Sequence, residues 1–258
     1  MFVKLVNSEN LIIELVSLIK NSKYIVAFTG AGISTESGIP DFRSPGGLWE
    51  RYNPAEYAQY SSFLTHPEKF WQMHQEASSL IQNAEPNAAH KGLAFLEKNF
   101  NLKTVITQNI DFLHKRAGST NVLELHGSGE FGKCLSCSKI YHYKTIDKLI
   151  NEKGIPPLCT NCAGLIKPNV ILFGEPVPDN VFYEARREAS KADLVIIVGS
   201  SLSVAPAAFL PQLALLNGSK LVIVNEDETH YDDDATVVIR DKAGLVFSWI
   251  IEILSKIL

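Results

Sequence analysis

Short apolar runs alternate along the chain with longer stretches in which apolar residues recur every three or four positions. The short runs are typical of buried strands, and the longer stretches are typical of amphipathic helices. The pattern predicts strands at 24–28, 103–108, 121–125, 170–173, 194–198, 220–225 and 236–239. It predicts helices at 8–21, 87–99, 109–118, 144–151, 179–191 and 206–217, and a last helix that begins near 244. Strands that alternate with helices indicate an α/β fold, a doubly wound parallel (Rossmann-like) sheet with helices on both faces.

Two segments interrupt this alternation. Residues 44–86 are rich in aromatic residues and contain Pro45, Pro54, Pro67 and Pro86, which predicts a helical insertion whose aromatic side chains are mostly core. Residues 128–167 contain every cysteine of the chain. We therefore expect a Rossmann-like domain from residues 1–43, 87–127 and 168–258, a helical insertion at 44–86, and a small module at 128–167.

The cysteines Cys134, Cys137, Cys159 and Cys162 form two C-x-x-C pairs, the spacing of a tetrathiolate zinc site. Two disulfides are the alternative, but they need an oxidising compartment. Thioredoxin-like redox chemistry needs only one such pair, at the start of a helix. Zinc is favoured, and since sulfur fills all four positions, the metal is expected to be structural and not catalytic.

Composition and charge narrow the function classes only slightly. The hydrophobic fraction is 46%, the charged fraction 20% and the formal net charge −4, as in an ordinary globular protein. Nothing here indicates bulk attraction to nucleic acid or to an acidic membrane. No apolar span is long enough to cross a bilayer, and no signal peptide is recognisable at the N-terminus. We expect a cytoplasmic protein that binds neither membranes nor nucleic acid directly.

Glycines and polar residues follow several of the predicted strands. In parallel sheets, ligands bind at the carboxyl ends of strands, so these residues predict one binding cleft. They are Gly30, Gln108, Asn109, His126, Gly199, Ser200, Ser201 and Asn225. The turn at Gly30 and Gly32 after the first strand could cradle a pyrophosphate. The third glycine of the dinucleotide fingerprint is replaced by Thr35, so a plain tight turn remains an alternative.

His126 is the strongest candidate for acid–base chemistry, because it directly follows an apolar strand and precedes a glycine. A histidine in that place can act as a base at neutral pH. The other histidines are interpreted as core histidines with satisfied hydrogen bonds: His66, His74, His90, His114, His142 and His230. The chain shows no serine nucleophile in an elbow, no glycosidase-like carboxylate pair and no P-loop lysine.

Several motifs, taken in order along the chain, resemble the sirtuins, which are NAD-dependent protein deacylases. They are Gly30-Ala-Gly-Ile-Ser34, Gly38-Ile-Pro-Asp-Phe-Arg43, Thr107-Gln-Asn-Ile-Asp111, His126-Gly127, the paired C-x-x-C, Phe173-Gly-Glu175 and Gly199-Ser-Ser201. The resemblance covers roughly residues 10–256. It implies an enzyme that consumes NAD as a co-substrate, in contrast to a dehydrogenase, and that carries a structural zinc ion.

The resemblance also implies site residues. For NAD it implies Gly30, Ala31, Gly32, Ser34, Ile39, Asp41, Phe42, Arg43, Gln108, Asn109, Asp111, Gly199, Ser200, Ser201, Asn225, Glu226 and Ala243. Among these, Phe42 would shield the reacting ribose carbon from water after nicotinamide leaves. For the substrate it implies Val170, Ile171, Phe173, Gly174, Glu175 and Val204.

The implied reaction begins when the acyl-lysine oxygen attacks the ribose carbon and gives an alkylimidate. His126 would then act as general base on a ribose hydroxyl, and the products would be nicotinamide, free lysine and 2′-O-acyl-ADP-ribose. The backbone of residues 170–175 and 202–205 would bind the acyl-lysine peptide or protein by strand addition. Such main-chain recognition implies broad sequence tolerance.

Two departures from the family pattern bear on the substrate. Relatives that remove succinyl groups carry a Tyr-x-x-Arg pair where this chain has Phe70-Trp-Gln-Met-His74, so neutral acyl groups are expected. Lys167 stands where many relatives have arginine, a change from which little is expected. Mono-ADP-ribosylation or NAD hydrolysis on the same scaffold is the alternative activity. A module that binds NAD without chemistry is a third reading, and the intact His126, Asn109 and Asp111 argue against it.

Overall fold

The computed structural model describes residues 2–41 and 47–258, and for residues 2–8 the backbone only. The strands are β1 Ile25–Thr29, β2 Leu102–Thr107, β3 Val122–Glu124, β4 Gly127–Cys134, β5 Ile140–His142, β6 Ile166–Val170, β7 Leu194–Val198, β8 Lys220–Val224 and β9 Val237–Ile239. The helices are α1 Phe2–Asn21, α2 Leu48–Arg51, α3 Pro54–Tyr57, α4 Tyr60–Thr65, α5 Pro67–Asn83, α6 Ala88–Asn99, α7 Leu113–Arg116, α8 Tyr143–Lys153, α9 Asp179–Lys191, α10 Leu210–Leu216 and α11 Ala243–Ser255. A seven-residue 3₁₀ helix lies at Ala31–Ser37, and single 3₁₀ turns lie at Ala207–Phe209 and Asp232–Asp234.

In the described part of the chain, six parallel strands form the main sheet, in the order β3-β2-β1-β7-β8-β9. The chain runs outward from β1 to β3 and then returns to the centre at β7, which is the order of a Rossmann fold with its switch point between β1 and β7. The predicted α/β class with a doubly wound parallel sheet is confirmed.

Both faces of this sheet are covered, as the continuous apolar runs predict. Side chains alternate between two cores along each central strand. Ile25 and Ala27 of β1 join a cluster with α1, α6 and α11, whereas Val26 and Phe28 join one with α9 and α10. All five residues of β1 and of β7 are buried. The sheet is therefore a rigid central layer that fixes where its strands end.

A smaller antiparallel sheet, in the order β5-β4-β6, carries the cysteines. A third core joins it to the helical insertion, since Phe63 and Trp71 of the insertion cluster with Tyr141 and Ile146. The insertion and the cysteine-bearing sheet thus pack on one another.

Several predicted elements differ from the structure, among them the helix predicted at 109–118, since α7 spans only Leu113–Arg116. The strand predicted at 170–173 is wrong: β6 ends at Val170 and belongs to the small sheet, and beyond it only Phe173 forms an isolated bridge, with Gln59. A short apolar run looks the same in a strand and in an extended segment that packs on a neighbour. The helix predicted at 206–217 is split, since α10 begins just before Pro211, which has no N–H for a continuous helix. α1 begins at Phe2 and not at residue 8.

Candidate active site

The carboxyl ends of the parallel strands lie level with one another. Thr29 of β1 pairs with Thr107 of β2 and with Val198 of β7, and the register continues from Val198 to Val224 and on to Ile239. The residues that directly follow these strands must therefore lie along one edge of the sheet. This register brings together segments that are far apart in sequence.

A cavity of about 940 Å³ opens along this edge. That volume is near the upper end of what small-molecule sites occupy. Nineteen of the residues predicted for the site line it: Gly30, Ala31, Gly32, Asp41, Gln108, Asn109, His126, Val170, Ile171, Phe173, Gly174, Glu175, Gly199, Ser200, Ser201, Val204, Asn225, Glu226 and Ala243. The cleft expected from the strand ends is present.

The remaining predicted residues are placed differently. Ser34 and Asp111 are buried just behind the lining, and Ile39 is partly buried outside it. Phe42 and Arg43 lie outside the described residues, so their predicted roles have no structural counterpart here.

The sequence reasoning missed much of the apolar lining. The helical insertion supplies Leu48, Trp49, Ala58, Phe70, Met73, His74, Ala77 and Ile81. Ile110 follows β2, and Leu172 follows β6. The acidic side chains of Asp179, Asp227 and Asp241 also line the cavity. The spacing of Phe70, Met73, Ala77 and Ile81 along α5 is helical, and that spacing was the available signal. It could not tell a face that packs on the core from one that lines a cavity.

The glycine turn lies against the end of β7. A Cβ atom on Gly30 would come 2.8 Å from the carbonyl oxygen of Gly199, and one on Gly32 would come 2.9 Å from the Gly199 Cα. The Gly32 N–H also donates to the Gly199 carbonyl at 2.8 Å. The glycines therefore have a packing role at the switch point, besides any approach to a ligand.

Asn109 connects this turn to a buried carboxyl group. Its Nδ2 donates to the Gly30 carbonyl at 3.0 Å and to Ser34 Oγ at 3.1 Å. Ser34 Oγ in turn donates to Asp111 at 2.7 Å. Burial raises the pKa of Asp111, while the donors from Ser34 and from the Leu113 N–H act in the opposite direction. The chain of bonds holds the Asn109 amide rigidly at the edge of the cavity.

Two buried histidines lie beneath this network. The rings of His90 and His114 have centroids 4.9 Å apart, and His114 Nε2 lies 2.9 Å from Thr29 Oγ1. Burial lowers the pKa of His90 to about 4 and that of His114 well below its usual range. Both rings are therefore neutral at neutral pH, consistent with their interpretation as core residues.

His126 follows β3 and is half-buried at the cavity wall. Its Nδ1 lies 3.0 Å from the carbonyl oxygen of Gln108. A carbonyl can only accept, so in the neutral ring Nδ1 carries the hydrogen and Nε2 is the basic nitrogen. Gln108 is itself fixed, since its Nε2 donates to Ser200 Oγ at 2.9 Å. The backbone thus selects the tautomer that a general base requires.

The segment 170–175 forms another wall, and a buried ion pair holds it. Lys167 Nζ lies 2.9 Å from Glu175 and donates to the Val170 carbonyl at 2.6 Å. Glu175 also accepts from the Leu172 N–H at 2.8 Å. This leaves the Phe173 side chain, 42% exposed, at the cavity mouth. Lys167 thus holds the segment 170–175 in place, a role that its position in the sequence did not indicate.

The four cysteines converge at the end of the small sheet. Their sulfur atoms all lie within 4.8 Å of one another, and the Cys134–Cys162 and Cys137–Cys159 pairs are 3.5 Å apart. Zinc–sulfur bonds of about 2.3 Å in a tetrahedron place sulfurs about 3.8 Å apart, whereas a disulfide needs about 2.0 Å. Backbone N–H groups of Ser136 and Asn161 point at two of the sulfurs, as they do around a thiolate. The donor set fits a closed zinc site and does not fit disulfides.

Fold and site together define a class of protein: a doubly wound α/β protein with a large cavity at its switch point, a tautomer-fixed histidine in that cavity and a separate tetracysteine site. A family comparison agrees, because the Sir2 family matches residues 30–206. The chain belongs to the Sir2 family.

Individual relatives cover nearly the whole chain. An NAD-dependent protein deacetylase of Thermodesulfovibrio yellowstonii is 45% identical, with 93% of each chain covered. A solved Sir2 structure with a p53 peptide and NAD+ is 42% identical, has a TM-score of 0.88 and covers 94% of this chain and 98% of its own. A Sir2 variant structure with a deacetylated p53 peptide and 3′-O-acetyl ADP ribose is also 42% identical, has a TM-score of 0.89 and covers 93% and 97%. Within the described residues, no helix combines the length and the apolar composition needed to cross a bilayer.

Proposed function

We propose that this protein is an NAD-dependent protein-lysine deacylase, acting mainly on acetyl or other neutral acyl groups. The observation that carries the proposal is the fixed tautomer of His126 in a cavity that the glycine turn and the 170–175 segment also line. A ligand that spans this cavity would contact all three. The two solved Sir2 structures named above support the same reading, since one holds a p53 peptide with NAD+ and the other a deacetylated p53 peptide with 3′-O-acetyl ADP ribose.

The residues of the cavity fit NAD in the following way. The turn at Gly30, Ala31 and Gly32 would hold the pyrophosphate, and Ser201 with Asn225 would lie on the far side of the dinucleotide. Gln108 and Asn109 would hold the nicotinamide ribose. The other residues proposed for NAD are Ser34, Ile39, Asp41, Phe42, Arg43, Asp111, Gly199, Ser200, Glu226 and Ala243. When bound, NAD supplies a glycosidic bond that breaks to release nicotinamide and a ribose that accepts the acyl group.

The protein's own groups act on protons and on position. His126 Nε2 would accept a proton from a ribose hydroxyl, while the Gln108 carbonyl stabilises the imidazolium through Nδ1. The bonds from Asn109 to Ser34 and Gly30 would keep the amide oriented without a change of conformation. Ser34 and Asp111 therefore act on the ligand mainly through Asn109.

The acyl-lysine peptide would lie between two backbone segments, with Val170, Ile171, Phe173, Gly174 and Glu175 on one side and Val204 on the other. Strand addition to these segments is part of the proposal. The exposed Phe173 at the mouth and the ion pair that holds its segment support it. Substrate recognition through the main chain would leave peptide sequence largely unread.

Four broader statements complete the proposal. We infer that the tetracysteine site holds structural zinc and that the chain divides into a Rossmann-like domain, a helical insertion at 44–86 and a zinc module at 128–167. The separate sheets support this division. Thiols arranged for zinc and not for disulfides favour a reducing, cytoplasmic location. The mild net charge gives no reason to expect nucleic acid as a partner.

The role of His126 is tested by His126→Ala, with the exposed His230→Ala as matched control. We expect His126→Ala to lower kcat on an acetyl-lysine peptide by about a hundredfold or more, the usual value of a general base. NAD should still bind, because the glycine turn and Asn109 remain. His230→Ala should turn over normally. Turnover by His126→Ala near the wild-type rate would remove the base from the mechanism.

The alternative activity is mono-ADP-ribosylation or NAD hydrolysis on the same scaffold. It predicts an ADP-ribose adduct on protein, or free ADP-ribose with the peptide still acylated. Mass spectrometry separates these products from an acyl-ADP-ribose. Either the 2′ or the 3′ ester supports deacylation, because an acyl group migrates readily between neighbouring hydroxyls.

A further inference from the structure

One face of α5 forms a wall of the cavity. Phe70, Met73, His74, Ala77 and Ile81 line it, at the spacing of residues that share a helix face. Of these five, only His74 is polar. The helix therefore offers the cavity an apolar surface with a single hydrogen-bonding group. We call this part of the cavity, lined by these residues together with Ile110 and Leu172, the apolar limb.

His74 is held by aromatic contacts alone. Its ring stacks on Phe70 at a centroid distance of 5.7 Å and an interplanar angle of 20°, and it meets the Trp71 ring edge-on at 4.9 Å. The side chain is partly buried, because protein surrounds most of it while the rest faces the cavity. Among the described residues, no hydrogen-bond partner is found for either ring nitrogen. The ring is thus fixed in place with its polar atoms available to a ligand.

The apolar limb adjoins the segment proposed to bind the peptide. Phe70 and Met73 share a core with Val170 and Leu172. At the mouth, the rings of Trp49 and Phe173 have centroids 6.1 Å apart. A chain that enters beside Phe173 therefore has an apolar path toward α5.

The electrostatics of His74 restrict what such a chain can carry. Burial lowers the pKa of His74 to about 4, so the ring is neutral at neutral pH and offers no positive charge to a carboxylate. A neutral imidazole can still donate one hydrogen bond and accept another. In apolar surroundings, leaving that group unpaired when a ligand excludes water is unfavourable.

Under the proposed function, the acyl chain of the substrate would enter the apolar limb. We propose that His74 there selects neutral chains that carry a hydroxyl group. A hydroxyl a few carbons along the chain would pair with the imidazole, whereas an unsubstituted chain would cover it without a partner. A terminal carboxylate would find no cation on the described part of this wall. This inference rests on the proposed deacylase function and specifies its substrate class.

The test compares lysine peptides that carry butyryl or 3-hydroxybutyryl groups, using the whole enzyme. The readout is the ratio of kcat/KM for the hydroxylated peptide to that for the plain one. We expect this ratio to fall by about three- to tenfold in His74→Leu, the value of one hydrogen bond. His74→Gln, which can still donate and accept, should keep most of the ratio. Gln75→Leu, an exposed change on the same helix, is the matched control and should leave the ratio unaltered.

A further variant adds a positive charge to the apolar limb. In His74→Arg the guanidinium supplies the missing cation, so succinyl-peptide turnover should rise relative to butyryl-peptide turnover. An equal hydroxybutyryl-to-butyryl ratio in wild type and His74→Leu would overturn the inference. So would a change in the KM for NAD alone, since it would assign the limb to the cofactor. If no acyl peptide releases nicotinamide in the wild type, the proposed function itself has failed, which is a separate result.

Discussion

The histidines show how far single residues can be interpreted from sequence. His126 was predictable because it ends an apolar strand and precedes glycine. His90 and His114 are core residues, as expected. His66 and His230 were also expected in the core, but they are exposed. His74 was expected to be a core residue too, yet it lines the cavity, because the rotation of α5 decides whether its face meets a core or an opening. That rotation depends on the aromatic packing of the whole insertion, which local spacing does not encode.

Buried His90 gives a prediction at this scale. Its pKa is lowered to about 4 in the folded chain, so between pH 6.5 and 4 the unfolded chain binds a proton that the folded chain does not. The free energy of unfolding should therefore be highest above pH 6.5 and fall as the pH drops, by up to about 1.4 kcal/mol per pH unit for this residue. In His90→Gln this dependence should be shallower.

Urea unfolding at pH 7, 6 and 5 measures the slope for wild type, His90→Gln and the exposed His230→Gln. The slope is the readout and not the stability itself, so any loss of packing in His90→Gln does not obscure the result. Identical slopes in wild type and His90→Gln would show that His90 is not held neutral by burial.

At the scale of elements, the strand ends and the glycine turn determine the site. The register of β1, β2, β7 and β8 follows from mostly buried runs of five or six residues, so the sequence could predict which residues meet at the sheet edge. It could not show that the turn packs directly on Gly199. It also misplaced 170–173, because that segment is held by the local Lys167–Glu175 ion pair and by a backbone bond from Phe173 to Ala58, which is distant in sequence.

The turn gives a prediction through Gly32→Ala. The new Cβ would lie 2.9 Å from backbone atoms of Gly199, and neither backbone can move without disturbing its strand. We expect a loss of about 1–3 kcal/mol in unfolding free energy, together with weaker NAD binding, as the two strand ends are pushed apart.

Gly38→Ala is the matched control for this turn. Gly38 has a φ of +86°, and an added Cβ there would have no atom within 4 Å. An alanine at this position would therefore be strained in its backbone without a steric clash. Its cost should be about 1–2 kcal/mol, with NAD affinity near wild type. If Gly32→Ala bound NAD as tightly as Gly38→Ala, the packing at the switch point would not shape the cofactor site.

At the scale of the molecule, two units meet at the cavity: the large parallel sheet and the combined insertion and tetracysteine sheet. The α/β rhythm and the C-x-x-C spacing were enough to predict both. The core that the insertion shares with the tetracysteine sheet, with Phe63 and Trp71 in the same cluster as Tyr141, was not predictable, because an aromatic residue indicates burial but not which element it packs against. This shared core means that the cysteine site supports the apolar limb from behind.

Removal of zinc should therefore have a long-range effect. A strong chelator, or Cys137→Ser, is expected to lower the melting temperature and to loosen the insertion, since thiolates without their metal repel one another. The exposed Asn161→Ala keeps its N–H bond to Cys159 Sγ and serves as control. Melting curves with and without chelator measure the loss of stability. Tryptophan fluorescence, to which the buried Trp71 contributes, reports the loosening of the insertion. A loss of rate with an unchanged melting temperature would contradict a structural role.

The central claim is that NAD is consumed in step with deacylation, and one measurement tests it most directly. Purified enzyme is incubated with NAD and an acetyl-lysine peptide, and nicotinamide, free peptide and acetyl-ADP-ribose are quantified by mass spectrometry. We predict equal amounts of the three products and no nicotinamide when the peptide lacks its acetyl group. Nicotinamide release without deacetylation, with free ADP-ribose or ADP-ribosylated protein as the product, would contradict the account.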